Sequence, residues 1–179
     1  TNYALVISTN GGLWRYLVGD TIQFTSLRPF QIQVTGRLKH YMNAFGEEVI
    51  VDNADKAIAI ASAKTNAIVS DYTAAPVFFS ERENGAHEWL IEFDRLPDNI
   101  DEFITALDGA LKSVNSDYEA KRYKNIALRI PLGHVIETGT FRQWLKQKGK
   151  RVGQHKVPRL SNERNLSDEI LAMVNVRSV

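Results

Sequence analysis

The chain has no cysteine. Disulfides, thiol nucleophiles and cysteine metal sites are therefore excluded. It has no run of about 18 apolar residues, so the sequence offers no membrane-spanning helix. No basic stretch followed by an apolar one stands at the start, so nothing reads as a signal peptide, and the expected location is cytoplasmic. Charge of one sign is also missing: the formal net charge is +1, which gives no global pull toward nucleic acid or a membrane surface. Neither a Gly-x-Ser-x-Gly elbow nor a glycine loop ending in Gly-Lys-Ser/Thr occurs. His40, His87, His134 and His155 are scattered without metal-ligand spacing, and Glu47-Glu48 with Asp52-Asn53 lie in no twelve-residue calcium loop. No metal site is expected.

What remains is an ordinary globular composition, 44% hydrophobic and 24% charged over 179 residues. The chain starts at Thr1 and runs straight into the strand-like Tyr3–Ser8, which reads as a piece of something longer. The first part is β-rich. Thr21–Thr25 and Phe30–Thr35 alternate polar and apolar residues, as half-buried strands do. Asn10-Gly11-Gly12 and Ser26–Pro29 supply turns, and Gly19-Asp20 reads as the end of another.

After Arg37 the pattern changes. Asp52 is positioned to cap a helix over about 53–64, and Asp101 one whose Phe103, Ile104, Leu107, Leu111 and Val114 follow the 3.6-residue period. Strands are expected at Ala74–Phe79, Trp89–Phe93 and Ile126–Ile130, the last stopped by Pro131. Further helices are expected over Ser116–Lys124, Thr138–Lys148 and Leu166–Val174. The expected class is α+β with a small sheet. The natural boundary is Gly36 to His40, a tight hinge able to rotate one domain against another.

Four polar residues stand out locally, each with an ordinary alternative. Asp20 is able to accept from two adjacent hydroxyls, as a ribose offers; equally, Gly-Asp is a common turn, and locally the turn is favoured. Arg37 is suited to form a fork with a phosphate or ribose, or to be a solvated arginine. Lys39 suits a pivot, or any surface loop. Lys156, in Gln154-His155-Lys156-Val157-Pro158-Arg159, is able to swing an ammonium with three donors into a phosphate site. The window Arg142–Arg159 holds seven cations and no acid. It could bind nucleic acid, neutralise a phosphate leaving group or simply solubilise a face. Trp144 is its sole interior aromatic residue, so nucleic acid is discounted.

Taken in order, Trp14–Asp20, Gly36-Arg37, Asp71-Tyr72-Thr73, Asn115–Tyr118, Gly139-Thr140-Phe141 and Gln154–Arg159 resemble the auxin-responsive (Gretchen Hagen) family of acyl-acid amido synthetases, adenylate-forming enzymes. The wording is closer to the bacterial branch than to the plant one. The resemblance covers the whole chain but only the C-terminal third or so of a full-length member. It implies that residues 1–36 end the large N-terminal adenylate-forming domain. Residues 37–179 would be the mobile C-terminal α+β cap domain, partnered by the N-terminal domain of the same chain.

The resemblance also implies chemistry. ATP and a small carboxylic acid would give an acyl-adenylate and pyrophosphate, and the amine of an amino acid would then displace AMP. It implies ribose contacts for Asp20 and Arg37, a hinge at Lys39, and the adenylating lysine at Lys156. Mg2+ is implied, with ligands upstream, as are the triphosphate-binding and acyl-binding residues. This piece alone is expected to be inactive. Two departures keep an aromatic ring: Trp14 where tyrosine is usual, and His155 where plant members have tyrosine. The other readings are an adenylate-forming ligase with a thiol acceptor and a non-enzymatic α+β interaction module.

Overall fold

A computed structural model of the chain describes residues 2–37, 41–79, 84–125, 127–150, 155–174 and 177–178. The order of elements is β1 (Tyr3–Ile7), β2 (Tyr16–Leu27), β3 (Phe30–Arg37), β4 (Tyr41–Met42), β5 (Val49–Ile50), α1 (Val51–Thr65), β6 (Ile68–Val77) and β7 (Ala86–Arg95). Then come α2 (Ile100–Val114), α3 (Ser116–Arg122), β8 (Leu132–Ile136), α4 (Thr140–Gln147), α5 (Asn165–Met173) and β9 (Arg177–Ser178). The class is α+β, as the sequence pattern requires. None of these helices is long and apolar enough to cross a membrane.

Strands β1, β2 and β3 form an antiparallel meander in that order. Gly19 and Asp20 lie inside β2 rather than at a turn, and Gly19 takes a positive φ of 89°. A glycine accepts that angle within a strand without the clash a Cβ would bring. The register of β2 on β3 slips after Thr21 and again after Phe24. Such bulges twist a hairpin locally.

The larger sheet runs β6-β7-β8-β9. Strand β7 pairs antiparallel with β6 and parallel with β8, and α2 and α3 make the crossover a parallel pair needs. Strand β7 is buried on both faces along most of its length. Trp89, Ile91 and Phe93 face a core with α1 and α2, built on Phe103, Leu107 and Leu111. Leu90 faces a second core with Ile136, Phe141, Trp144, Leu145 and Ile170. Pro76 interrupts β6 at no cost, because β6 is at the sheet's edge.

Three further local expectations are corrected. Asp52 does not cap α1: it sits in the first turn, 2.7 Å from Lys56, and the Asn53 side chain accepts from the Ile50 N–H at 3.2 Å. Asp101 does not cap α2: Asn99 accepts from the Asp101 and Glu102 N–H groups at 2.8 and 3.3 Å. The segment 127–130 is not a strand, and β8 begins after Pro131. Leu128 N–H donates instead to Lys121 O at 3.0 Å, and Arg122 takes the Leu128 carbonyl at 2.8 Å. Those bonds occupy groups a strand would need for its ladder.

Candidate functional site

The first half of the candidate site is the start of the meander. Arg15 has a positive φ of 49°, and its N–H donates to Ser8 Oγ at 3.0 Å, which fixes the turn that leads into β2. Trp14 is 82% exposed. Asp20 is half-buried and is the Cα partner of Arg37 across β2 and β3. Two residues far apart in sequence are therefore brought to one register position. Lys39 lies outside the described residues, as does the side chain of Arg37.

The second half is the segment 155–161. Lys156 is exposed and makes no hydrogen bond or ion pair among the described residues. The chain is anchored directly after it. Val157 is buried in the core of α4 and α5, and Leu160 in the core of α1 and α2. Thr73 Oγ1 donates to Pro158 O at 2.7 Å. Ala74 N–H donates to Arg159 O at 2.9 Å, and Ser161 N–H to Ala74 O at 3.0 Å. The segment thus lies along the free edge of β6 and supplies part of the pairing that edge lacks. Lys156 and Asp20 share no hydrogen bond or ion pair among the described residues.

Around this anchor sits a polar cluster. Arg159 pairs with Asp55 of α1, and its guanidinium lies over the Tyr72 ring, 5.2 Å from the centroid. Tyr72 donates its hydroxyl to Asp55 Oδ1 at 2.6 Å. Burial, reinforced by the Asp55 carboxylate, pushes the Tyr72 hydroxyl pKa far up, so it stays a neutral donor.

Other buried polar groups support the frame. Glu92 of β7 accepts from the Phe141 N–H at 2.7 Å and the Gly139 N–H at 3.0 Å, capping α4 from the sheet. Glu88 meets His134 at 2.9 Å and Arg164 at 2.6 Å. Burial works to raise the Glu88 carboxyl, but these partners outweigh it and hold it below its usual range. His87 meets Glu47 at 2.9 Å. Asp108 binds Arg122, Lys112 and Tyr118; burial again opposes, and these partners hold the carboxyl low. Among the described residues no three His, Cys, Asp or Glu side chains are gathered for a metal.

Sequence reasoning missed Asp55, Tyr72, Glu88 and Glu92 as parts of this frame. Glu88 and Glu92, two positions to either side of Leu90 in β7, were the available signal, because a strand with buried flanks needs partners for its acids. Arg159 stood out as a cation of the basic window and as the end of the Gln154–Arg159 motif, with no role of its own.

The sequence pattern of the GH3 family C-terminal domain matches residues 52–165, and that of the GH3 family central domain matches residues 1–37. No curated protein matches the chain. Among solved structures, the GH3.15 acyl acid amido synthetase superposes with a TM-score of 0.77 at 24% identity. That match covers 99% of this chain and 33% of the other. The AtGH3.15 acyl acid amido synthetase in complex with 2,4-DB superposes with a TM-score of 0.71 at 22% identity and the same coverages. At such identities the likeness shows the fold. The chain spans about a third of the length of these structures.

Proposed function

The chain belongs to the GH3 family, and from that premise we propose that it is the C-terminal part of an ATP-dependent acyl-acid amido synthetase. The carboxylate of a small acid attacks the α-phosphorus of ATP, forming a carboxyl–phosphate bond as pyrophosphate leaves. The amine of an amino acid then attacks the acyl carbon, loses a proton and expels AMP. Residues 1–36 are the end of the large domain and residues 37–179 the mobile cap, with the pivot at Lys39. The wording of the motifs is closer to the bacterial branch than to the plant one.

In this reading the Asp20 carboxylate accepts from the ribose hydroxyls, beside Arg37. Lys156 brings its ammonium to the α-phosphate, where the attacking carboxylate crowds negative charge. Rotation of the cap carries Lys156 away before the amine enters. Mg2+ finds no cluster of ligands among the described residues. The remaining partner is the rest of the large domain. It is called for by the apolar side chains that the meander leaves in solvent, among them Phe30, Val34 and Leu27.

One observation carries this reading: Lys156 is exposed and unpaired among the described residues, on a segment anchored to both cores directly beyond it. The test is Lys156→Ala in the full-length protein. ATP–pyrophosphate exchange should fall by about 10²-fold or more, the usual cost of one such electrostatic contact. Amide formation from supplied acyl-adenylate should persist. Undiminished exchange refutes the role.

A further inference from the structure

Lys156 has a long, flexible side chain, and its usefulness depends on where its backbone is held. Directly beyond it the backbone is held three times. Val157 is buried, Thr73 hydrogen-bonds the Pro158 carbonyl, and Arg159 pairs through its own carbonyl with Ala74. The Arg159 side chain adds a fourth hold of another kind. It reaches across the face of Tyr72 to the Asp55 carboxylate, which also accepts from the Tyr72 hydroxyl. Helix α1, strand β6 and the lysine segment are tied together at this one point.

This tie is poorly suited to be a stability device. The Arg159 and Asp55 side chains keep 36% and 42% of their surface in solvent. Ion pairs that exposed contribute little to folding, and the buried backbone contacts beside it already hold the segment. The bond spans 104 residues of sequence and sits three residues from Lys156. Its geometry is rigid where Lys156 needs rigidity, because the guanidinium plane is fixed both by the ring beneath it and by the carboxylate at its edge.

We infer that Asp55, Tyr72 and Arg159 form a clamp that aims Lys156, acting as positioning residues for the adenylation step. This rests on the reading of Lys156 given above. In this reading the three act through Lys156 rather than on the substrate. The clamp sets the direction in which the segment leaves β6, and so the reach of the ammonium.

The experiment uses the full-length protein with Asp55→Ala, Arg159→Ala, the double variant and Tyr72→Phe, beside Lys156→Ala and the surface control Lys56→Ala. Each is measured for pyrophosphate exchange, amide formation from supplied acyl-adenylate, and thermal unfolding. The two alanine variants should lower kcat for exchange by about 10-fold, as small misplacements of a reacting group do. KM for ATP and the amide-forming half should stay the same. The double variant should be no worse than the poorer single one, since both break the same tie. Tyr72→Phe should cost less, and Lys56→Ala nothing. Unchanged exchange in Asp55→Ala and Arg159→Ala, with Lys156→Ala inactive, overturns the clamp alone. Loss of both half-reactions together with a lowered unfolding temperature also overturns it, because that is what a merely structural tie does. Undiminished exchange in Lys156→Ala overturns the reading beneath it.

Discussion

The meander β1–β3 and the sheet β6–β9 start from similar strands and end in opposite surroundings. In β7, alternate residues enter two different cores, and Trp89 is fully buried. In β3, the apolar residues at alternate positions remain largely in solvent, and Phe30 is 75% exposed. The meander has aromatic contacts of its own, Tyr3 to Phe24 at 5.7 Å and Phe24 to Phe30 at 5.9 Å, but no layer covers it among the described residues. Alternation thus reports that a strand has a face to bury, and says nothing of whether the partner layer is within the same 179 residues.

The largest expected effect is in the second sheet. Trp89→Ala should destabilise this chain by roughly 3–5 kcal/mol, the usual cost of deleting a buried aromatic side chain. Denaturant unfolding measures it. A loss under about 1 kcal/mol would mean that the β6–β9 core is not the stable centre.

The next effect is acid sensitivity confined to the same region. Glu47, Glu88 and Asp108 are all held below their ordinary values of 4.5, 4.5 and 3.8, burial opposing and their cationic or hydrogen-bonding partners prevailing. A carboxyl whose folded pKa is lowered stabilises the fold at pH above its unfolded value. That contribution is lost as pH falls through the folded value. Stability should therefore hold near neutrality and fall progressively below about pH 5. Glu88→Gln should flatten the acid limb in proportion to its share. Stability that rises on acidification would contradict the assignment.

The smallest effect is in the meander. Phe30→Ser should change the stability of this chain by no more than about 0.5 kcal/mol, as surface substitutions do. In the full-length protein the same change should cost clearly more. Equal costs in the two settings would break the comparison between the sheets.

These differences also mark what the sequence could say. The period-2 pattern of Phe30–Thr35 and the 3.6-residue stripe of α2 are local, and both elements lie where the pattern puts them. Helix starts were less legible because several Asx residues compete near each one. Asn53 and Asn99 do the hydrogen bonding that Asp52 and Asp101 seemed equally able to do. The apolar run around Leu128 looked like a strand, because nothing local reveals that Arg122 takes its carbonyl. At the site, Asp20 and Arg37 were legible as separate residues, and their register follows from the hairpin between them. The tie from Arg159 to Asp55 was not legible, since no local pattern links residues 104 positions apart.

The most direct measurement asks whether Lys156 reaches a nucleotide held at Asp20. An acyl-phosphate of ATP transfers its acyl group to an amine lying beside the phosphates, and peptide mass spectrometry of the full-length protein locates the label. The account predicts acylation of Lys156 that excess ATP blocks and that Asp20→Ala abolishes. Labelling that leaves Lys156 untouched, while other lysines are acylated in an ATP-protected way, would contradict it.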